Sequence, residues 1–342
     1  MSSRRWLLLS DGVRPTEDVY FLESVAPLLR AQNHEVDRLD VRGWRWPLVQ
    51  RFLAKQEGAN LVLCRTLPRR VLRWLEQARG RFDRIVYLID DDLAAAAEDS
   101  RLPQSYRRRM ARAAESQPKL LALADTVVTC SAVLADQFAE RHRNLHVMGP
   151  QLIAPLHDLS HFDRGPCPES PWLIGFHGSR AHLADLCHIA PALEAVHGSR
   201  QDTELEVMLG ERTPRCLTEL PRVSCPVPLR WDRFRAYRAN RRVHIGLVPH
   251  LNTPFNRSKS TIKFLDIAAM GGVGVYTKQS PYKEFVQDGV DGLLVDDDPT
   301  CWQRALEWLL DHPGEARAMA ASAARRAQQQ VLTDLPAWVE GA

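Results

Sequence analysis

The sequence predicts an α/β protein made of two doubly wound domains in tandem, with a cleft between them. Three observations carry that reading. Short apolar runs alternate with amphipathic helical patterns along the chain, the signature of parallel strands joined by crossover helices. The alternation breaks once, over a stretch rich in proline and glycine, and then restarts. The length, 342 residues, suits two domains of ordinary size, each able to bury its own core.

In chain order, strands are expected at 6–9, 35–41, 61–64, 85–89, 126–130 and 145–148. Amphipathic segments lie between them near 17–31, 46–56, 68–79, 104–124 and 132–141. The interruption at about 149–171 holds Pro150, Pro155, Gly165, Pro166, Pro168 and Pro171 and has no period, so it reads as an interdomain linker. Strands resume at 172–176, 205–209, 243–248, 273–276 and 293–295. A helix is expected near 182–196, another from about 256 to 271, and an Ala/Arg/Gln-rich one near 313–330. A short segment around 335–338 is expected to dock back on the first domain. The expected division is 1–165, 166–320, and a tail of returning helices at 321–342. Ligands of doubly wound sheets bind beyond the carboxyl ends of the strands, so the chemistry is sought in those loops.

Hydrophobic residues make up 45% of the chain and charged residues 25%, as in an ordinary globular protein. A net charge of +3 argues against a dedicated nucleic-acid binder. Arginines nevertheless gather in the first half, at Arg69, Arg70, Arg73, Arg107, Arg108, Arg109 and Arg112. They form either solvated helix faces or a basic surface for an acidic acceptor or an anionic membrane. Seven scattered cysteines with no Cys-x-x-Cys pair and no zinc-like spacing fit buried thiols in a reducing cytoplasm. No signal peptide is read in Arg4-Arg5 and the short apolar run after them, and no run approaches the roughly 20 apolar residues of a spanning helix. The expectation is a cytoplasmic protein, at most peripheral to a membrane.

Three loops at strand ends contain candidate site residues. The first, Gly175-Phe176-His177-Gly178-Ser179-Arg180, precedes a helix carrying His182 and Asp185. Its glycines let backbone approach a ligand, and Ser179 with Arg180 can reach phosphate or sugar oxygens. It lacks the ending of a Walker loop, and a tight turn is the competing reading. The second is Asp90-Asp91-Asp92, either an acceptor-facing or structural group or, with more ligands, a metal site. The third runs from Asn256 to Gly271. With Asn256 or Ser258 as cap, its helix would place Lys259 and Lys263 on one face with Asp266 beyond them. Free N–H groups, the positive dipole end and two ammonium groups would hold a diphosphate; a solvated surface stripe is the alternative.

Taken together, these residues resemble the family-4 retaining glycosyltransferases of the GT-B fold, two Rossmann-like domains about a cleft. The resemblance is clearest over about 172–311: the Gly-x-His-Gly-Ser turn with His182 and Asp185, then Ile245-Gly246-Leu247-Val248-Pro249. The run from Asn256 to Gly271 follows, then Pro281-Tyr282, Asp288-Gly289-Val290-Asp291-Gly292-Leu293-Leu294-Val295, and Trp302. The first half matches more loosely, through Ile89-Asp90-Asp91-Asp92 and Val127-Val128-Thr129-Cys130-Ser131.

The family's Glu–seven residues–Glu motif falls here on Ser258 and Asp266, so the first carboxylate is missing. The resemblance implies a nucleotide-sugar donor in the cleft and a glycan, glycolipid or glycoprotein acceptor, with no cofactor and no metal. Asp266 and His177 are then the catalytic candidates. Gly178, Ser179, Arg180, Asn256, Ser258, Lys259 and Lys263 would hold the donor, and Asp90, Asp91 and Asp92 would face the acceptor. The missing glutamate leaves a catalytically silent GT-B module as an alternative, beside a nucleotide-sugar epimerase on the same architecture.

Overall fold

The computed structural model describes residues 4–12 and 14–340; residues 1–3, 13, 341 and 342, which fall in the first and last expected segments, lie outside it. Two six-stranded sheets, parallel throughout, form the frame. The first contains β1 (Arg5–Ser10), β2 (Glu35–Asp40), β3 (Asn60–Cys64), β4 (Arg84–Ile89), β5 (Thr126–Thr129) and β6 (Leu145–Val147). Their order is β2-β1-β3-β4-β5-β6. The second contains β7 (Trp172–Phe176), β8 (Thr203–Val207), β9 (Val223–Ser224), β10 (Ile245–Val248), β11 (Val273–Thr277) and β12 (Leu293–Val295), in the order β12-β11-β10-β7-β8-β9.

The central strands are apolar runs because helices cover both faces of each sheet. Leu7, Leu8 and Leu9 are all fully buried, and every residue of β3, β5, β7, β10 and β11 is buried. Burying one such leucine is worth about 1.5–3 kcal/mol, so three consecutive ones hold β1 in the interior of its sheet, between β2 and β3. β9 was not foreseen, because two residues carry no alternation.

The helices depart from expectation in three places that bear on the site. The pattern near 104–124 is two helices, Gln104–Ala114 and Gln117–Leu123, with Pro118 in the first turn of the second. The run from 256 to 271 is also broken: Pro254–Arg257 and Ile262–Ala269 are separate helices. An unforeseen helix, Trp231–Asn240, precedes β10.

The order of each sheet reverses once, between β1 and β3 in the first and between β7 and β10 in the second. Such switch points open a crevice at the strands' carboxyl ends. Here the two carboxyl edges face one another. Loops after β4 and β5 meet the loop after β10: Asp91 bonds Lys259, and the Ser131 hydroxyl donates to the Ser258 carbonyl at 2.8 Å. At the tail, Trp338 packs edge-on to Trp6 and near Phe21, within the core of the first sheet. Among the described residues, no helix is long and apolar enough to cross a membrane.

Candidate functional site

The loops after β7 and β10 are joined through one carboxylate. Asp185 accepts from His182 Nδ1 at 2.8 Å, from the Leu251 amide at 2.9 Å and from the Asn256 amide group at 3.0 Å. Burial opposes its charge, but the His182 hydrogen bond and charge hold its carboxyl below the usual range. His182 stacks face to face on His250, with ring centroids 5.2 Å apart. Burial, with the nearby His182 charge, brings His250 down to about 3, so its ring is neutral at ordinary pH. Its buried Nδ1 has no hydrogen-bond partner.

The expected cap assignments are corrected. Thr253, not Asn256 or Ser258, caps the first short helix, accepting from the Asn256 amide at 3.0 Å. Asn256 spends its side chain on Asp185 and on the Leu251 carbonyl. Ser258 is fully buried, and its hydroxyl donates to the Phe255 carbonyl. Its own carbonyl is taken by Ser131, so it is not available to continue a helix. The Ser-Lys-Ser-Thr run therefore breaks the helix, as side chains that bond nearby backbone tend to do.

Lys259 and Lys263 consequently do not share a helical face. Lys259 lies in the connecting turn and Lys263 in the first turn of Ile262–Ala269. Lys259 bonds Asp91 at 2.5 Å and lies 4.0 Å from the centre of the Phe255 ring. Burial works against its ammonium, yet Asp91 holds its pKa above the ordinary value. It also lines a cavity of about 410 Å³ between the domains, with Ser131, Ser260, Thr261 and Glu284 among its neighbours. Lys263 bonds Asp266 at 3.1 Å. Asp266 is buried between that ammonium and the Arg238 guanidinium, which is 2.5 Å away. Burial would raise its carboxyl, but the two cations hold it below the usual range. Asp266 therefore orients cations.

His177 bonds Glu206 at 2.8 Å, and Glu206 also accepts from the Tyr237 hydroxyl and from Arg241. Burial opposes the Glu206 charge, but those donors bring it down to about 2. In the same loop, Gly178 lies against Phe176, where an added Cβ would fall 2.5 Å from the ring. Ser179 accepts from the Ala181 amide at 3.3 Å, and Arg180 is half-buried, its guanidinium in no ion pair or hydrogen bond among the described residues.

The three aspartates after β4 are not one ligand set. Asp92 caps the helix Leu93–Glu98 through the Ala95 amide. Asp91 joins Arg65 and Lys259. Asp90 accepts from the Thr16 hydroxyl at 2.6 Å, and burial pushes its carboxyl up. Among the described residues, no three or more His, Cys, Asp or Glu converge as metal ligands.

Sequence reasoning missed Arg65, Arg238, Glu206 and Tyr237. Arg65 left no signal, being one charged residue after a strand. The helix Trp231–Asn240 carries charge on most faces and has only a weak apolar stripe, so its two site residues were hidden.

Residues 208–334 match the family described as "Glycosyl transferase-like". The chain as a whole has the GT-B fold. Solved structures extend the likeness over the full length of the GT-B chain. Sucrose-phosphate synthase from Thermosynechococcus elongatus has a TM-score of 0.62 at 14% identity, covering 96% of this chain and 94% of that one. HepE from Anabaena, in complex with UDP-glucose, has a TM-score of 0.61 at 14% identity, covering 97% and 96%. A Listeria monocytogenes protein assigned as a UDP-N-acetylglucosamine 2-epimerase has a TM-score of 0.58 at 13% identity, covering 96% and 95%. No curated protein matches the chain.

Proposed function

We propose that this GT-B chain moves a sugar from a nucleotide-sugar donor to a glycan or glycoconjugate acceptor, with retention and without a metal. The observation that carries this reading is the second switch point. Its loop after β7 carries Arg180, whose guanidinium has no partner among the described residues. The chain after β10 carries the helix Ile262–Ala269 with Lys263 in its first turn, and Asp185 ties the two stretches through His182, Leu251 and Asn256. Lys259, in the turn before that helix, is shared with Asp91. A helix start supplies unpaired N–H groups and a positive dipole end, which suit a diphosphate.

In the transfer, the bond between the anomeric carbon and the β-phosphate oxygen breaks as the acceptor oxygen bonds to that carbon. The acceptor proton leaves with the departing phosphate. Negative charge grows on that phosphate, and preorganised cations stabilise it most when they act in the transition state. Lys263, oriented by Asp266, and Arg180 would supply those charges. The Asp185 hub would fix the backbone that carries them.

A test begins with melting temperatures in UDP, GDP, dTDP, CDP and ADP, since a ligand of the folded state raises the apparent Tm. At least one should stabilise the protein. Lys263→Ala should then lower kcat by about 10²–10³, as loss of one transition-state donor does. No stabilisation by any of the five would overturn the donor assignment.

A second reading, a silent module that binds donor or glycan, is favoured by the buried Ser258 in place of a carboxylate. Diphosphate binding without release of sugar to water or to any acceptor would decide for it.

A further inference from the structure

The first sheet has its own switch point, between β1 and β3, and a pocket of about 700 Å³ opens there. Its wall includes Asp11 after β1, Thr66 after β3, and the guanidinium-bearing residues Arg42, Arg69, Arg109 and Arg112. The volume falls in the range of small-molecule sites. Two of the arginines are already engaged: Arg42 bonds Asp40 at 2.7 Å and Arg69 bonds Glu115 at 2.7 Å. Arg109 and Arg112 have no carboxylate partner among the described residues; Arg109 only lies over the Tyr106 ring at 4.9 Å. Three apart in the helix Gln104–Ala114, they share one side of it. One carboxylate oxygen in the pocket is also unmet, since Asp11 Oδ1 is buried without a hydrogen-bond partner.

We propose that this pocket receives an acceptor sugar bearing an oxyanion, either a phosphate ester or a carboxylate, with Arg109 and Arg112 on the oxyanion and Asp11 on a hydroxyl. The inference rests on the glycosyl-transfer reading and adds the acceptor's chemical class. Guanidinium groups present forked donors that match a phosphate or carboxylate, and two unpaired ones on one helix side make a site of fixed sign. A neutral sugar would leave both without a counter-charge. Asp11 suits the other end of the acceptor. Burial pushes its carboxyl up to about 6, against the lowering influence of Arg65, which makes it a better acceptor of a hydroxyl proton than a surface aspartate.

The experiment is calorimetry of the full chain at low salt with glucose 6-phosphate, glucuronate and glucose, with UDP titrated into the same preparations. At least one of the two anions should bind and glucose should not. The Arg109→Ala/Arg112→Ala double variant should weaken anion binding tenfold or more while leaving UDP binding unchanged. Both side chains are exposed, so the variant is expected to fold, and UDP binding reports that it has. Binding of the phosphate alone or of the glucuronate alone supports the proposal and identifies the oxyanion. Equal binding of glucose, or undiminished anion binding by the double variant, overturns it. UDP binding with no anion binding overturns this proposal and leaves the donor reading standing. Anion binding that the double variant loses, without binding of any nucleoside diphosphate, overturns the donor reading and with it the pocket's role as an acceptor site, leaving an oxyanion pocket.

Discussion

Asp266 and Glu206 show how single carboxylates organise the cationic side of the cleft. Each is buried, and each is kept ionised by donors from the helix Trp231–Asn240 or just beyond it: Arg238 for Asp266, Tyr237 and Arg241 for Glu206. A buried charge without partners costs several kcal/mol, so these pairings are conditions for folding as well as for chemistry. The Glu206 carboxyl falls from an ordinary 4.5 to about 2 in the folded chain. The unfolded chain therefore binds the proton first as pH falls. The stabilisation is fully present above pH about 4.5 and is lost on descending to about 2. Glu206→Gln should remove that acid-limb dependence, seen as a flatter plot of urea midpoint against pH from 5 to 2. An unchanged slope would mean that other carboxylates carry it.

At the scale of elements, the helix Trp231–Asn240 connects the two halves of the site. Residues three or four apart share a helix face. Trp231 donates to Asp18 at 2.7 Å and Arg235 pairs with Glu23 at 3.0 Å, both in the first domain. Arg238, one turn on, holds Asp266. One helix thus contacts both the first domain and the carboxylate that orients Lys263. The helix Ile262–Ala269 depends on a different device. Gly246 in β10 lies beneath it, and an added Cβ would fall 2.4 Å from Ile267 Cγ1. Glycine is what lets the helix approach the strand this closely. Gly246→Ala should force the helix outward and cost about 1–3 kcal/mol of stability, as overpacking does. Equilibrium denaturation measures it, and a loss within about 0.5 kcal/mol would show that Ile267 can turn aside.

At the scale of the whole molecule, the domains meet through a charged relay. Arg65 and Lys259 both bond Asp91, Ser131 donates to the Ser258 carbonyl, and Tyr106 packs edge-on to Phe255. Asp91 and a donor diphosphate would compete for the same ammonium group. Asp91→Asn should therefore raise nucleoside-diphosphate affinity, up to about tenfold or about 1.4 kcal/mol, by releasing Lys259. Calorimetry with the nucleotide found to stabilise the protein reads this directly. A fall in affinity would show that Asp91 positions Lys259 for the phosphate.

The strands and their parallel arrangement were legible in the sequence. They follow from local patterns: Leu7 to Leu9, 85–89 and 273–276 are apolar whatever surrounds them, and burial on both faces of a sheet requires that. The loop from His177 to Arg180 and the segment from Asn256 to Asp266 were likewise marked by residue type and spacing. What those side chains bond to was decided only by the tertiary structure. The Ser258 carbonyl is held by Ser131, 127 positions away, and Lys259 is paired with Asp91, 168 positions away. A hydrogen bond or ion pair across such separations leaves no periodicity, because periodicity records which face of an element is buried and not which charge stands opposite it.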